Sequence, residues 1–557
     1  MKKYLTLIFL CSFVYSNRDC LQETKWDEFE RSTRPVRDTF AISPSGHFYI
    51  HYDLLGNAAP DLTDLDENNV PDYIDEVGIY ADSARHVLID ILGYTSEPSD
   101  GIEGGGSGNY DIYVTSYGPG SYGYCQSEGA GVSFVKIDND YLGYTSNYNQ
   151  TPHKIMNITV VHEYFHAVQW GYRFSLGENA YFYEMSSTWF EDVIIPDGND
   201  YLEDGWVNPL FNNPTAQIDN IGGGYELALF GHYLSSYLDS KGIENVFNST
   251  IIREIWERFG DIPNNAFTAI GDILENNYNI SYIETWIDFI SRNLYNGAYP
   301  NLDNSFYYYV DQALIDPIYS SPIIMNDSIR FELYLDNKSA DIKSYKTGDI
   351  SSIITINHYQ NDFIGKVGII SKVNHDNNSL FWSSDTIISE VYSDVTIHFV
   401  YGYNGNSDIT VPIDLILSAV PLTPYGLIGA AAQDSIIINW NSLQVADDNI
   451  NYIIYRNGDS LDIISETNFI DSKEIEGLTY YTYQVTCVNV HGESQPSNTI
   501  TILSWPVKNN VIKNQIISLY PNPIHKTNDA YILFALGSNY SNNSLELINI
   551  GGQIINT

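Results

Sequence analysis

The amino-acid sequence predicts a multidomain chain in which an α+β domain is followed by β-sandwich domains. Three observations lead there. The chain has 557 residues, and at roughly 150 residues per domain that length calls for three or four cores. Residues 40–150 mix short strand-like runs with one helical stretch, and from Ile155 to Ala298 the apolar period becomes helical. From residue 306 onward, runs of Ile, Val, Tyr and Ser are broken by Asn, Asp and Gly, the pattern of short antiparallel strands.

Composition narrows the function classes. Hydrophobic residues make up 43% and aromatics 14% of the chain, far from the aromatic-poor composition of disordered segments. The formal net charge of -44 repels phosphate backbones and anionic membrane surfaces, which argues against a nucleic-acid partner.

Taken in order, Lys2 and Lys3 precede an apolar run from Leu5 to Val14, which reads as a secretory signal peptide over residues 1–16. The run is shorter than the roughly 20 residues a spanning helix needs, and no second candidate follows, so no transmembrane segment is expected. Leu10 stands before Cys11 where a lipoprotein site wants a small residue. Cys20, Cys125 and Cys487 remain after cleavage; one bridge, Cys20 to Cys125, is expected in an oxidising compartment. The α+β domain is assigned to residues 17–304. Strands are expected at Phe48 to Tyr52, Tyr110 to Thr115 and Gly131 to Ile137, with helices at 74–92, 155–171, 181–194, 224–240, 246–258, 264–277 and 282–297. A β-rich domain (305–419), a β-sandwich (420–505) and a C-terminal segment (515–557) follow.

The chemistry is concentrated in His162-Glu163-Tyr164-Phe165-His166. Residues four apart share a helix face, so both imidazoles can reach one metal ion while Glu163 is directed at water on that metal. Ile158 to Val161 before the motif and Ala167, Val168 and Trp170 after it make the helix a buried one. Glu184, 18 positions beyond His166, is at a spacing that lets a following helix bring it to the same ion. Three protein ligands with one position left to water is the catalytic zinc arrangement. A three-histidine site would require Gly at 169 and His at 172, where Gln169 and Tyr172 stand. Glu178 is too close to His166 to cross a turn cleanly, and Glu191, two turns beyond Glu184, suits a role supporting a histidine.

The stretch Val161 to Gln169, with the Glu184 helix ending Trp189-Phe190-Glu191-Asp192, resembles the gluzincin metallopeptidases, whose zinc ligands are His, His and a downstream Glu. More closely it is similar to a group of secreted bacterial metalloproteases distantly related to hyicolysin and immune inhibitor A, over residues 45–300. The resemblance implies a zincin-like metallopeptidase domain with Zn2+ held by His162, His166 and Glu184. It also implies Glu163 as general base and a downstream Tyr or His as oxyanion stabiliser, Tyr225 or His232 here. The expected activity is hydrolysis of a protein or peptide substrate. The rivals are hydrolysis of a non-peptide substrate and a surface adhesion protein with an inactive peptidase-like domain.

A second metal pattern lies in Asp64 to Asp75. Asp64, Asp66, Asn68, Asp72 and Asp75 occupy loop positions 1, 3, 5, 9 and 12 of the calcium-loop scheme, and Val70 offers its carbonyl at position 7. Asn69 replaces the usual Gly at position 6 and tolerates positive φ. Ca2+ there would brace the fold near the cleft.

Ile436 to Trp440, Tyr452 to Gly458 and Tyr481 to Val485 resemble a fibronectin type III domain, with Trp440 as core and Tyr481 as the corner tyrosine. Leu519-Tyr520-Pro521-Asn522-Pro523 and Leu545 to Gln553 resemble the C-terminal sorting domain of the type IX secretion system, cut short at Thr557. That resemblance implies the type IX secretion machinery as a partner and a secreted or outer-surface location.

Overall fold

The structure, a computed structural model, describes residues 34–505 apart from short internal stretches, together with strand segments beyond residue 514. The expected signal peptide and Cys20 lie outside the described residues.

Five strands form the first sheet: β1 (Thr39–Ile42), β2 (Phe48–Tyr52), β3 (Tyr110–Thr115), β4 (Gly123–Gly129) and β5 (Val132–Asp138), in spatial order β1-β2-β3-β5-β4. The three central strands are parallel and both edge pairings are antiparallel. Register carries one row across the sheet: Ala41 opposite Ile50, Ile50 opposite Ile112, Ile112 opposite Val135, and Val135 opposite Cys125. Side chains alternate across a strand, so this row shares a face, and all five belong to the main core. Cys125 is therefore a core residue, buried with a free thiol that burial pushes up to about 12. The expected bridge from it to Cys20 involves a residue outside the described ones.

Helix α1 (Asp72–Arg85) continues as a π-helical turn to Ile91. Helix α2 (Pro152–Tyr172) begins where the Thr151 hydroxyl accepts a bond from the Lys154 amide at 3.2 Å, with Pro152 in the first turn. From Ile155 to Trp170 it is buried without a break, as expected for a helix enclosed on every side. Helix α3 (Ala180–Ile194) packs against it.

The single helix expected over 224–240 is instead a 3-10 turn (Tyr225–Leu227), a short α-helix (Ala228–Tyr233) and a π-helical turn (Leu234–Leu238). Gly224 is the reason the segment starts this way. Its φ is 107°, and a Cβ there would lie 2.3 Å from the Tyr181 carbonyl oxygen, so the segment starts pressed against α3. Helices Ile251–Asp261, Ala266–Asn277 and Tyr282–Arg292 complete this domain; the last stops five residues before the expected end. Strands β1 and β4 were not expected. β4 reads Gly-Tyr-Cys-Gln-Ser-Glu-Gly and has no β-branched residue to mark it.

Residues 323–418 form a five-stranded and a four-stranded sheet around a core that includes Leu333, Val367, Phe399, Val411 and Ile413. Ala340, Ile342 and Val400 of the five-stranded sheet join the core of the α+β domain instead. Residues 425–503 are a smaller β-sandwich around Trp440, Tyr452, Ile454 and Tyr483. There the Tyr481 hydroxyl accepts a bond from the Glu476 amide five residues back at 2.8 Å, the corner tyrosine arrangement. Gln515–Tyr520 pairs with Tyr531–Ala535; most of the remaining C-terminal segment lies outside the described residues. Among the described residues no helix is long and apolar enough to cross a membrane.

Candidate metal centre

Helix α2 is anchored by its motif tyrosine: the Tyr164 hydroxyl donates to Glu97 Oε2 at 2.7 Å. With its rotation set, His162 and His166 stand one turn apart on one face, rings edge to face at 4.6 Å. From α3, Glu184 Oε2 comes within 3.1 Å of His162 Nε2 and 3.6 Å of His166 Nε2. The ligand atoms of the three side chains all lie within 4.8 Å of one another, and all three side chains are buried.

The outward nitrogens are held as a metal site needs them. His162 Nδ1 meets Glu191 Oε1, and His166 Nδ1 donates to Gln169 Oε1 at 2.7 Å. The Gln169 amide is itself fixed by donating to the Tyr183 carbonyl, Ser186 Oγ and Ser187 Oγ at 3.0–3.2 Å. A proton committed to Nδ1 leaves the Nε2 lone pair facing inward. His166 Nε2 is buried and has no hydrogen-bond partner. Two imidazole nitrogens and a carboxylate oxygen facing one another fit a zinc ion. Burial pushes the Glu184 carboxyl up, yet in the metal-free chain the His166 and His162 rings, when protonated, outweigh it and hold it at about 2. Glu184 is thus an anion facing a place for positive charge.

Glu163 is fully buried and borders edge strand β4. A Cβ at Gly123 would fall 3.2 Å from Glu163 Cγ and 2.7 Å from Thr159 Cγ2. The bare glycine lets the edge strand run alongside the motif helix. Tyr225 stacks on His162, while His232 is placed against Asp192 Oδ2, 3.3 Å from its Nε2, and stacks on Tyr309 at 4.4 Å. Burial pushes His232 down to about 3.

Two residues at the site escaped sequence reasoning. Gln169 lies three positions past His166, a spacing that could have marked it as the partner of that ring. Glu226 had no such signal: it is buried after the turn at Gly224, its Oε1 lacks a hydrogen-bond partner, and burial with the nearby Glu184 charge pushes it up to about 7.

In the Asp64–Asp75 loop, oxygens of Asp64, Asp66 and Asp72 lie within 4.8 Å of one another. The Asn68 amide donates to Asp64 Oδ1 at 3.1 Å and its side chain to Asp75 Oδ2 at 2.8 Å. Asn69 has φ 72°, the left-handed conformation the sixth position of a calcium loop takes.

Residues 424–503 match the family of rhamnogalacturonan I lyase β-sheet domains. No curated protein matches the chain. Similar solved structures include the fibronectin type-III domain of human fibronectin type III domain containing protein 3, at 18% identity over 16% of this chain and 88% of that one, TM-score 0.15. A Fn3-like protein from Clostridium thermocellum is 20% identical over 15% of this chain and 95% of its own, TM-score 0.13. The Clostridium perfringens spore cortex lytic enzyme SleM is 13% identical over 18% of this chain and 35% of that chain, TM-score 0.15. The module at 424–503 is a fibronectin type III-like β-sandwich, as its strands and family match show.

Proposed function

We propose that this protein is a zinc-dependent endopeptidase whose α+β domain is zincin-like. The observation that carries the reading is the buried trio His162, His166 and Glu184, with both outward imidazole nitrogens engaged by Glu191 and Gln169. Zinc bound there would supply a Lewis acid and a water whose pKa falls from about 15.7 toward about 7. Glu163, one residue past His162 and not itself a ligand, accepts the proton of the attacking water and passes it to the leaving amine. Its burial keeps the carboxylate out of bulk water, where it would be a weaker base. Tyr225, stacked on His162, is the better candidate for a donor to the developing oxyanion; His232 faces Asp192. Gly123 leaves β4 free to approach Glu163, which supports an extended chain lying along that edge.

Calcium is proposed for the Asp64, Asp66, Asn68, Val70, Asp72 and Asp75 loop, as a brace for the start of α1. The N-terminal apolar run and the C-terminal motifs support export through the type IX machinery to the surface or medium. The fibronectin type III-like sandwich favours a second reading, an adhesion protein, and one experiment separates the two. Metal content by elemental mass spectrometry is measured beside casein cleavage for wild type and Glu163→Gln. One zinc per chain in both with cleavage only in wild type is expected; no zinc after reconstitution would sink the peptidase reading.

A further inference from the structure

Two cationic side chains of the 323–418 sandwich reach out of their own module into the α+β domain. Lys338, in the turn between strands Ile329–Leu335 and Ser339–Thr347, donates to Asp219 Oδ2 at 2.6 Å and lies over the Phe267 ring at 4.4 Å. The Tyr282 hydroxyl donates to the Lys338 carbonyl at 3.1 Å, so the turn is held at both its backbone and its side chain. Lys366, on strand Ile364–Ser371, meets Asp288 Oδ1, and its ammonium lies over the Trp382 ring at 4.3 Å. Asp288 Oδ2 in turn accepts from Tyr233 Oη at 2.7 Å and from Arg292 Nε at 2.9 Å. Lys366, Asp288 and Arg292 are each at least nine-tenths buried.

These contacts meet one stretch of chain at both ends. Asp219 lies six residues before Tyr225, and Tyr233 eight residues after it, at the end of the helix that follows the Gly224 turn. Between them Gly224 is pressed on Tyr181, three residues before Glu184. Lys366, Asp288 and Arg292 are desolvated together, while Lys338 and Asp219 each keep about one-fifth of their side chain exposed; a buried charge group bridging two modules contributes geometric definition more than net stability. Such a clamp suits a segment that must be held to within a fraction of an ångström of the metal ligands.

We propose that the 323–418 sandwich is a working part of the hydrolytic unit, in which Lys338 and Lys366 are positioning residues that hold the 218–238 segment, and with it Tyr225, against His162. The proposal rests on the peptidase reading for its catalytic consequence, but not for its structural one. The test uses the full chain as Lys338→Met, Lys366→Met, Lys338→Arg and, as a control inside the sandwich, Arg330→Met. Hydrogen exchange is followed by mass spectrometry, with zinc content and peptide kinetics alongside. Arg330 pairs with Asp414 on the adjacent strand of the four-stranded sheet, the sheet that does not carry Lys366.

Exchange over 218–238 is expected to rise about tenfold in both Met variants, with α2 and α3 unchanged and zinc content at wild-type level. kcat is expected to fall about 10-fold to 100-fold at nearly constant KM, and Lys338→Arg is expected to restore both readouts. Arg330→Met should alter neither. Unchanged exchange over 218–238, or a rise spread equally over α2, would overturn the proposal. A wild-type chain that binds zinc yet cleaves nothing would count against the peptidase reading, and the exchange result would still decide the clamp.

Discussion

Tyr225 lies stacked on His162, the ring centroids 6.1 Å apart and the planes 19° from parallel. The two residues are 63 positions apart in the chain, and the turn at Gly224, pressed on Tyr181, starts the segment that brings them together. The ring of Tyr225 therefore lies beside the very imidazole whose Nε2 faces Glu184.

If its hydroxyl donates to the oxyanion, Tyr225→Phe keeps the stack and loses the donor. kcat is expected to fall about 10²-fold with KM and zinc content nearly unchanged, read from steady-state cleavage of a fluorogenic peptide. A loss confined to KM would assign Tyr225 to substrate binding instead.

Glu191 meets the outward nitrogen of His162. Removing it in Glu191→Ala frees that ring to rotate and to change tautomer, and zinc affinity is expected to fall about 10-fold to 100-fold. Competition with a chromophoric chelator measures this directly. An unchanged affinity would mean that Glu191 serves packing alone.

Glu226 is buried and pushed up to about 7 by desolvation and, more weakly, by Glu184. A carboxyl whose folded pKa exceeds its unfolded value favours folding while protonated, and that contribution is lost as pH rises from about 4.5 through about 7. Glu226→Gln removes the titration. In the metal-free protein the variant should match wild type near pH 4 and exceed it at pH 8 by on the order of 3 kcal/mol. Urea unfolding at the two pH values tests this, and equal gains at both would rule out the ionisation as the cause.

Burial raises the Asp75 carboxyl, and the Asp66, Asp72 and Asp64 charges add to that effect. Calcium would relieve this crowding, so calcium at a hundred times its dissociation constant should stabilise the chain by about 2.7 kcal/mol. Asp66→Asn should blunt the gain and leave zinc content intact, as followed by thermal unfolding with and without chelator. Equal midpoints in calcium and chelator for wild type would dismiss the loop as a site.

The local patterns were legible in the chain itself. His162 and His166 four apart, a buried run on either side of them, strands β2 and β3 to the residue, and the oxygen-bearing side chains grouped in the Asp64–Asp75 loop depend on neighbours within a dozen positions, where helix and strand periods act. What came only from the folded chain depends on distant partners. Cys125 is a core thiol because β4, an edge strand without β-branched residues, pairs with β5. Gln169 fixes His166 only because Tyr183, Ser186 and Ser187 on another helix hold its amide. Tyr225 reaches His162 through a glycine pressed on Tyr181, and Lys366 meets Asp288 across 78 residues. Residue type and spacing determined which groups carry chemistry; packing decided which of them face each other, because a side chain's partner is set by the close approach of elements far apart in the chain and not by its own neighbours.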